Sequence, residues 1–167
     1  MIQIENQVEG LSEGRLRRFL AKARRAVGLN GEISVLLTSD SAMRQLNRSF
    51  RGKDKPTDVL SFPAVDAVAT KLAGDLAISV DIASANAAEL GHSLEDEVRV
   101  LILHGLLHLA GYDHESDNGQ MARKESHLRA ELGLPFNLIA RTEADPVRRK
   151  KPKPRSSASG SAKRRAR

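Results

Sequence analysis

The chain has 167 residues, of which 40% are apolar, 3% are aromatic and none is cysteine. This composition suffices for one aliphatic core and excludes disulfides, thiolate metal sites and thiol nucleophiles. The N-terminal residues MIQIENQVEG lack the basic and apolar segments of a secretory signal. The apolar run over residues 100–110 contains two histidines and is too short to span a bilayer. We therefore expect a soluble, cytoplasmic protein.

The formal net charge of +6 is unevenly distributed along the chain. Residues 146–167 hold ten of the 27 basic residues and no acidic one, so residues 1–145 carry 17 basic against 21 acidic residues, a net charge of −4. The C-terminal segment is rich in Pro, Ser, Lys and Arg and has too few apolar residues to offset its ordering entropy. We predict one domain over residues 1–140 and a disordered basic tail over residues 141–167.

Hydrophobic periodicity predicts four strands and four of the five helices in the first 110 residues. Residues 2–8 alternate apolar and polar side chains as a half-buried strand does, and an amphipathic helix then runs from Ser12 to Gly28. A strand at residues 32–38 precedes a helix capped by Asp40, a polar loop, and strands at residues 58–63 and 73–79. Further helices are expected at residues 82–90 and 94–110.

The helix at residues 94–110 begins at the N-cap Ser93 and is apolar on nearly every side, which indicates a central, buried position. A last helix is expected over residues 118–132, ended by Gly133. Strands cluster early and helices late, a pattern typical of the α+β class. The predicted fold is a small mixed four-stranded sheet packed with about five helices, in which the central buried helix carries the histidines described next.

Three histidines in the segment HGLLHLAGYDH predict a metal site. His104 and His108 are four residues apart, so a helix projects both from one face. Gly111 can adopt the left-handed conformation that ends a helix, which lets the chain return His114 to the same ion. Three imidazoles leave one tetrahedral position open, as in catalytic zinc sites. Neutral imidazoles favour a late first-row cation, with nickel and iron as alternatives to zinc.

The spacing HxxxHxxGxxH is that of the metzincin zinc proteases, with Gly105 in place of their glutamate. That glutamate is the general base of peptide hydrolysis, and positioned acid–base groups contribute about 10²–10⁴-fold to the rate. We therefore interpret Gly105 as an argument against proteolysis.

The segment HGLLHLAGYDH, the upstream block FRGKDKPTDVLSFP and the intervening GDLAIS together resemble the YbeY-type endoribonucleases, which are bacterial rRNA maturation factors. The resemblance covers roughly residues 30–135. It implies an α+β fold, one zinc ion held by His104, His108 and His114, and cleavage of single-stranded RNA. It further implies roles in 16S rRNA 3′-end maturation and ribosome quality control.

The resemblance also assigns roles other than metal binding. Arg51 matches an arginine that acts in RNA cleavage, and a guanidinium can stabilise charge growing on phosphate oxygens. His114 is expected to be catalytic as well as a ligand. Lys53 and Lys55 are candidate RNA-binding residues, and Asp113 is either a turn residue or a group that orients an imidazole.

The implied partners are rRNA and the small ribosomal subunit, with ribosomal proteins and a ribosome-assembly GTPase as further ones. No membrane partner is expected. The basic tail is either a nonspecific rRNA anchor or a solubilising extension. Two other functions stay open: a non-catalytic zinc-binding assembly factor, and another metal-dependent hydrolase.

Overall fold

The computed structural model describes residues 1–66 and 71–136, and the predicted basic tail lies outside them. Within these ranges the order of elements is β1 (Ile2–Ile4), α1 (Glu13–Val27), β2 (Glu32–Thr38), α2 (Asp40–Arg51), β3 (Val59–Pro63), β4 (Leu72–Ser79), α3 (Val80–Leu90), α4 (Leu94–Leu109) and α5 (Gln120–Leu132). The predicted α+β class and the five helices are confirmed. None of the helices in the described ranges has the length and apolar character needed to cross a membrane.

The four strands form one mixed sheet in the order β1-β2-β4-β3. Strands β1, β2 and β4 are parallel, whereas β3 pairs antiparallel with β4. Strand β1 ends at Ile4, earlier than the predicted residue 8, because it pairs with β2 only as far as Leu37. Strand β2 stops at Thr38 and the chain turns into α2, so residues beyond Glu5 have no neighbouring strand to bond with.

Helix α4 forms the centre of the main core, as its apolar sequence predicts. Its N-terminus is capped by Ser93, whose hydroxyl accepts a hydrogen bond from the Asp96 amide at 3.1 Å. Leu101, Ile102 and Leu103 have no exposed surface. The helix packs on α1, on α3 and α5, and on strands β3 and β4, so it is covered from several directions.

Helix α2 covers part of the opposite face of the sheet, where Met43 packs with Leu60 and Ala77. It ends at Gly52, whose φ of +68° is left-handed. The loop that follows is held back against the helix, because the Asn47 side-chain amide donates to the Lys55 carbonyl at 2.7 Å. Helix α2 therefore fixes both ends of the segment that carries Arg51, Lys53 and Lys55.

A buried carboxylate joins α1 to α4. Both Glu95 oxygens accept from Arg15 Nε, at 2.9 and 3.0 Å, and Arg99 is a second partner at 2.5 Å. The Ser12 amide also donates to Glu95 at 3.2 Å. The Glu95 side chain is only 9% exposed. The hydrogen bond from Arg15, with the charges of Arg99 and Arg15, lowers the pKa of Glu95 below its usual 4.5, although burial opposes this.

Replacing Glu95 by Gln should lower the free energy of unfolding by about 1–3 kcal/mol, because the negative charge is lost and one accepting oxygen becomes an NH₂ donor that faces other donors. Since the pKa of Glu95 is depressed in the folded state, its contribution is full above about pH 4.5 and is lost as the pH falls through the folded pKa. Urea unfolding followed by circular dichroism from pH 7 to pH 3 measures both effects. The control is Glu13→Gln, which removes the exposed pair with Arg17 and should cost under about 0.5 kcal/mol. Equal losses of stability in the two variants at pH 7 would refute this role of Glu95.

Candidate metal centre

The three predicted ligands lie together at the C-terminal end of α4. One ligand nitrogen from each of His104, His108 and His114 can be chosen so that all lie within 4.8 Å of one another. The Nε2 atoms of His104 and His108 are 3.1 Å apart, and the rings of His108 and His114 have centroids 5.2 Å apart. Nitrogen atoms this close around a common point match the donor set of a single tetrahedral cation.

The turn after α4 brings His114 back to the helix. Gly111 has a φ of +92°, and its amide donates to the His108 carbonyl at 3.0 Å, which confirms that glycine ends the helix here. Asp113 accepts from the Glu115 amide at 3.1 Å and from the Ser116 hydroxyl at 2.8 Å. Asp113 is therefore a turn residue, the first of its two predicted roles. Asp117 then accepts from the Met121 amide at 2.7 Å and caps the start of α5.

Helix α5 supplies a carboxylate that orients the first ligand. His104 Nδ1 lies 2.9 Å from an oxygen of Glu125, and the other oxygen of Glu125 accepts from Arg129 at 2.5 Å. Because a carboxylate accepts, His104 donates from Nδ1 and presents the lone pair of Nε2 toward His108. Burial raises the pKa of Glu125, but the hydrogen bond and charge of His104, with Arg129, outweigh it and hold the pKa at about 2. Glu125 is thus ionised at neutral pH.

The electrostatics of the site suit cation binding near neutral pH. Burial lowers the pKa of His108 below 6.5, and the neighbouring His104 and His114 lower it further. A lowered pKa keeps the imidazole neutral as the pH falls, and only the neutral ring has a free lone pair for a metal. The donor set, the oriented tautomer of His104 and the neutral His108 therefore fit a late first-row divalent cation.

Gly105 faces the sheet. A Cβ atom at this position would lie 2.7 Å from one methyl of Leu76 and 3.3 Å from the Ser61 hydroxyl. Ser61 also donates to the Gly105 carbonyl at 3.2 Å, so β3 and α4 are in direct contact here. The absence of a side chain at residue 105 is explained by close packing of α4 on β4. A glutamate in this backbone geometry would enter the core, away from the histidines.

Arg51 is the last residue of α2, on the loop that precedes β3. It is exposed, as are Lys53 and Lys55. Asp54 is paired with Arg44 at 2.9 Å, so one of the two acidic residues between α2 and β3 is already neutralised. Within the described part of the chain, no hydrogen bond, ion pair or ring contact joins Arg51 to the three histidines. The connection between them is through β3, whose Ser61 contacts α4 beside His104.

The two remaining histidines differ from each other. His127 is 74% exposed on α5, in agreement with its interpretation as a surface residue. The sequence predicts a surface position for His92 too, since it lies outside the metal spacing and precedes the Ser93 cap. This prediction is wrong, because its side chain is 11% exposed and lies 2.7 Å from the fully buried carboxylate of Glu97. The left-handed Gly91 turns the chain after α3 and directs His92 against α4. Neither residue lies in the histidine cluster.

Glu125 and Arg129 are site residues that the sequence alone does not reveal. They are four residues apart on the predicted last helix, a spacing typical of a helical ion pair. Only the packing of α5 on α4 buries the pair and places it behind His104. A glutamate–arginine pair at this spacing looks like a solvated surface pair when it is viewed in sequence alone.

A four-stranded α+β fold with three histidines gathered around one point defines a candidate metallohydrolase. The sequence matches the family described as Endoribonuclease YbeY over residues 2–133. A relative with this name from Koribacter versatilis is 56% identical, covering 85% of this chain and 91% of its own. Another from Helicobacter pylori strain P12 is 43% identical over 86% of this chain and 99% of its own. The chain belongs to the Endoribonuclease YbeY family.

A solved structure gives an independent comparison of the fold. The solution structure of TM1509 from Thermotoga maritima superposes with a TM-score of 0.53 at 32% sequence identity, covering 79% of this chain and 89% of the other. The fold described above is therefore shared with a protein whose structure was determined by experiment.

Glu125→Gln should weaken metal binding about 10–100-fold, because the amide keeps the shape of the carboxylate but lacks the charge that strengthens the His104 hydrogen bond. Zn²⁺ affinity is measured by competition with a chromophoric chelator, and the tautomer of His104 by ¹⁵N NMR of the metal-free protein. The control is Glu131→Gln on the same helix, where the side chain is 53% exposed. Equal affinities of the two variants, with both folded, would exclude an orienting role for Glu125.

Gly105→Ala should destabilise the fold by about 1–2 kcal/mol, since overpacking against Leu76 exceeds the gain in helix propensity. Gly14→Ala is the matched control, because Gly14 is an exposed helical glycine with only the Arg18 guanidinium 3.7 Å from its added Cβ. That variant should gain up to about 1 kcal/mol. Urea unfolding of both variants provides the comparison, and a stabilised Gly105→Ala protein would contradict the close packing.

Proposed function

We propose that this protein is a zinc-dependent endoribonuclease that cuts single-stranded rRNA in the cytoplasm. The proposal includes maturation of the 16S rRNA 3′ end and ribosome quality control, with the small ribosomal subunit as partner. Ribosomal proteins and a ribosome-assembly GTPase are the further partners proposed. The observation that carries the proposal is the cluster of three histidines in a chain of the Endoribonuclease YbeY family.

Membership of this family makes the chain an endoribonuclease, a hydrolase of RNA phosphodiester bonds that acts in rRNA processing. One Zn²⁺ would be held by His104, His108 and His114. Three ligands leave a fourth tetrahedral position open for the substrate. The bound ion would supply Lewis-acid polarisation of a phosphoryl oxygen. Glu125 and the α4–α5 packing keep His104 in one tautomer and orientation, so the site needs little rearrangement during the reaction.

Arg51 is proposed to stabilise the charge that develops on the scissile phosphate. A guanidinium is always protonated and donates in a planar fork that matches two phosphate oxygens. Arg51 has no hydrogen bond or ion pair to a described residue, and its loop is fixed by the Gly52 cap and the Asn47 contact. Lys53 and Lys55 lie on the same loop and are proposed to contact the RNA backbone on either side of the cut.

Glu125 is an unsuitable proton acceptor for the attacking group. One of its oxygens accepts from His104 and the other from Arg129, so neither oxygen is free to take a proton from the attacking group. The position next to His104 that bears the base in metzincins is filled by packing here. The nucleophile is therefore either a water activated by the metal or the RNA 2′-OH, and a 2′,3′-cyclic phosphate at the cut end would identify the 2′-OH.

Cleavage of pre-16S rRNA by the zinc-loaded protein tests the proposal. Arg51→Ala should lower the cleavage rate by about 10²–10³-fold, the usual effect of removing one donor to a charged transition state, with little change in RNA affinity. His114→Ala should abolish both cleavage and tight zinc binding. Gel analysis with end-group determination identifies the products.

Arg48→Ala is the matched control, because Arg48 is an exposed arginine one turn earlier on the same helix. It should cut at the wild-type rate. If Arg51→Ala and His114→Ala also cut at the wild-type rate, the cleavage comes from a contaminant and the enzyme proposal fails. If only rRNA binding is seen in every protein, the chain is a non-catalytic assembly factor.

A further inference from the structure

The positive charge of the described domain is concentrated on helix α1. This helix has 15 residues and carries five arginines and one lysine against a single glutamate. The other residues between positions 1 and 145 hold 11 basic and 20 acidic residues. One short helix therefore has a net charge of +5 in a domain that is otherwise acidic, and it belongs neither to the metal centre nor to the Arg51 loop.

The cations of α1 fall into two groups. Three of them are bound within the fold: Arg15 pairs with Glu95, Arg17 pairs with Glu13, and Arg24 donates to the Gly31 carbonyl. The side chains of the other three, Arg18, Lys22 and Arg25, make no hydrogen bond or ion pair to any described residue. They are exposed. We call these three residues the α1 stripe.

Helical periodicity places the α1 stripe on one line. Its members are four and three residues apart, so they lie above one another along the helix over about 10 Å. Leu16, Phe19 and Leu20 are buried and face the core, which turns the stripe outward. The arrangement is a row of three unpaired cations on a rigid support, without an exposed aromatic residue on the same helix for base stacking.

We propose that the α1 stripe binds the phosphate backbone of the RNA substrate, away from the position of cleavage. This inference rests on the proposed action on RNA and adds a second contact surface to it. A row of cations on a rigid helix matches a polyanion whose charges repeat along a strand, and it gains affinity by releasing counterions. Because contacts to phosphates carry no sequence information, the binding should be independent of RNA sequence.

Salt-dependent RNA binding tests the α1 stripe. The variant Arg18→Gln/Arg25→Gln removes two stripe cations, and Arg17→Gln/Arg24→Gln removes two arginines from the flank of the same helix. The two variants have equal net charge. Affinity for a fluorescein-labelled, fully 2′-O-methylated single-stranded RNA is measured by anisotropy with the full-length, zinc-loaded chain from 50 to 300 mM salt. A gel confirms that the RNA stays intact.

The stripe variant should reduce the slope of log affinity against log salt by about 1.4, since each single-strand phosphate that is no longer neutralised changes the slope by about 0.7. The flank variant should keep the wild-type slope. Circular dichroism confirms that both are folded. Equal slopes in the two variants would refute the proposal. It would also be refuted if the stripe variant bound phosphatidylglycerol vesicles more weakly than the wild type but bound RNA as the wild type does.

These outcomes are separable from a failure of the proposed function. A protein that binds RNA through the α1 stripe but never cuts it refutes the nuclease proposal alone. If the protein cuts RNA but the two variants have the same slope of log affinity against log salt, only the proposal for the α1 stripe is refuted.

Discussion

Helix α4 lies so close to β4 that a Cβ atom at residue 105 would be only 2.7 Å from a methyl of Leu76. This contact fixes the rotation of the helix about its axis, because one face is pressed against Leu76 and Ser61. His104 and His108 are then directed away from the sheet, toward α5 and the turn that carries His114. The same rotation places His104 beside the carboxylate of Glu125 and the Gly105 carbonyl beside Ser61 of β3. The positions of the histidines therefore depend on a packing contact in the core.

The distribution of charge between interior and surface is a second organising feature. Three carboxylates are almost withdrawn from solvent, and each is bound to basic or polar partners: Glu95 with two arginines, Glu97 with His92 and Asn86, and Glu125 with His104 and Arg129. Burying a carboxylate is costly unless it is paired and hydrogen-bonded, so each also fixes the packing of two elements. Several acidic residues are thereby hidden, whereas cations of α1 and the Arg51 loop are exposed.

The sequence predicts those parts of the fold that depend on neighbouring residues. Helix limits, the Ser93 cap and the Gly111 turn are predictable because each has a local cause, and the helical spacing of His104 and His108 places them together. The length of β1 depends on where its partner strand ends, which periodicity in residues 2–8 does not reveal. Glu125 and His92 escape prediction because their burial depends on contacts between separate helices. In the sequence Gly105 indicates a missing catalytic base, whereas in the fold a side chain at that position would crowd Leu76 in the core.

The three ligands differ in how they are supported. Two are carried by one turn of a buried helix and are in place before a cation arrives, whereas His114 is carried by the turn between α4 and α5. That turn is closed by backbone hydrogen bonds and by the side chains of Asp113 and Asp117, all near the surface. Tyr112 anchors the start of the turn on the main core, and the rest is held by hydrogen bonds near the surface. A bound cation would therefore depend on the local stability of the turn for its third ligand, whereas the helix alone holds the other two.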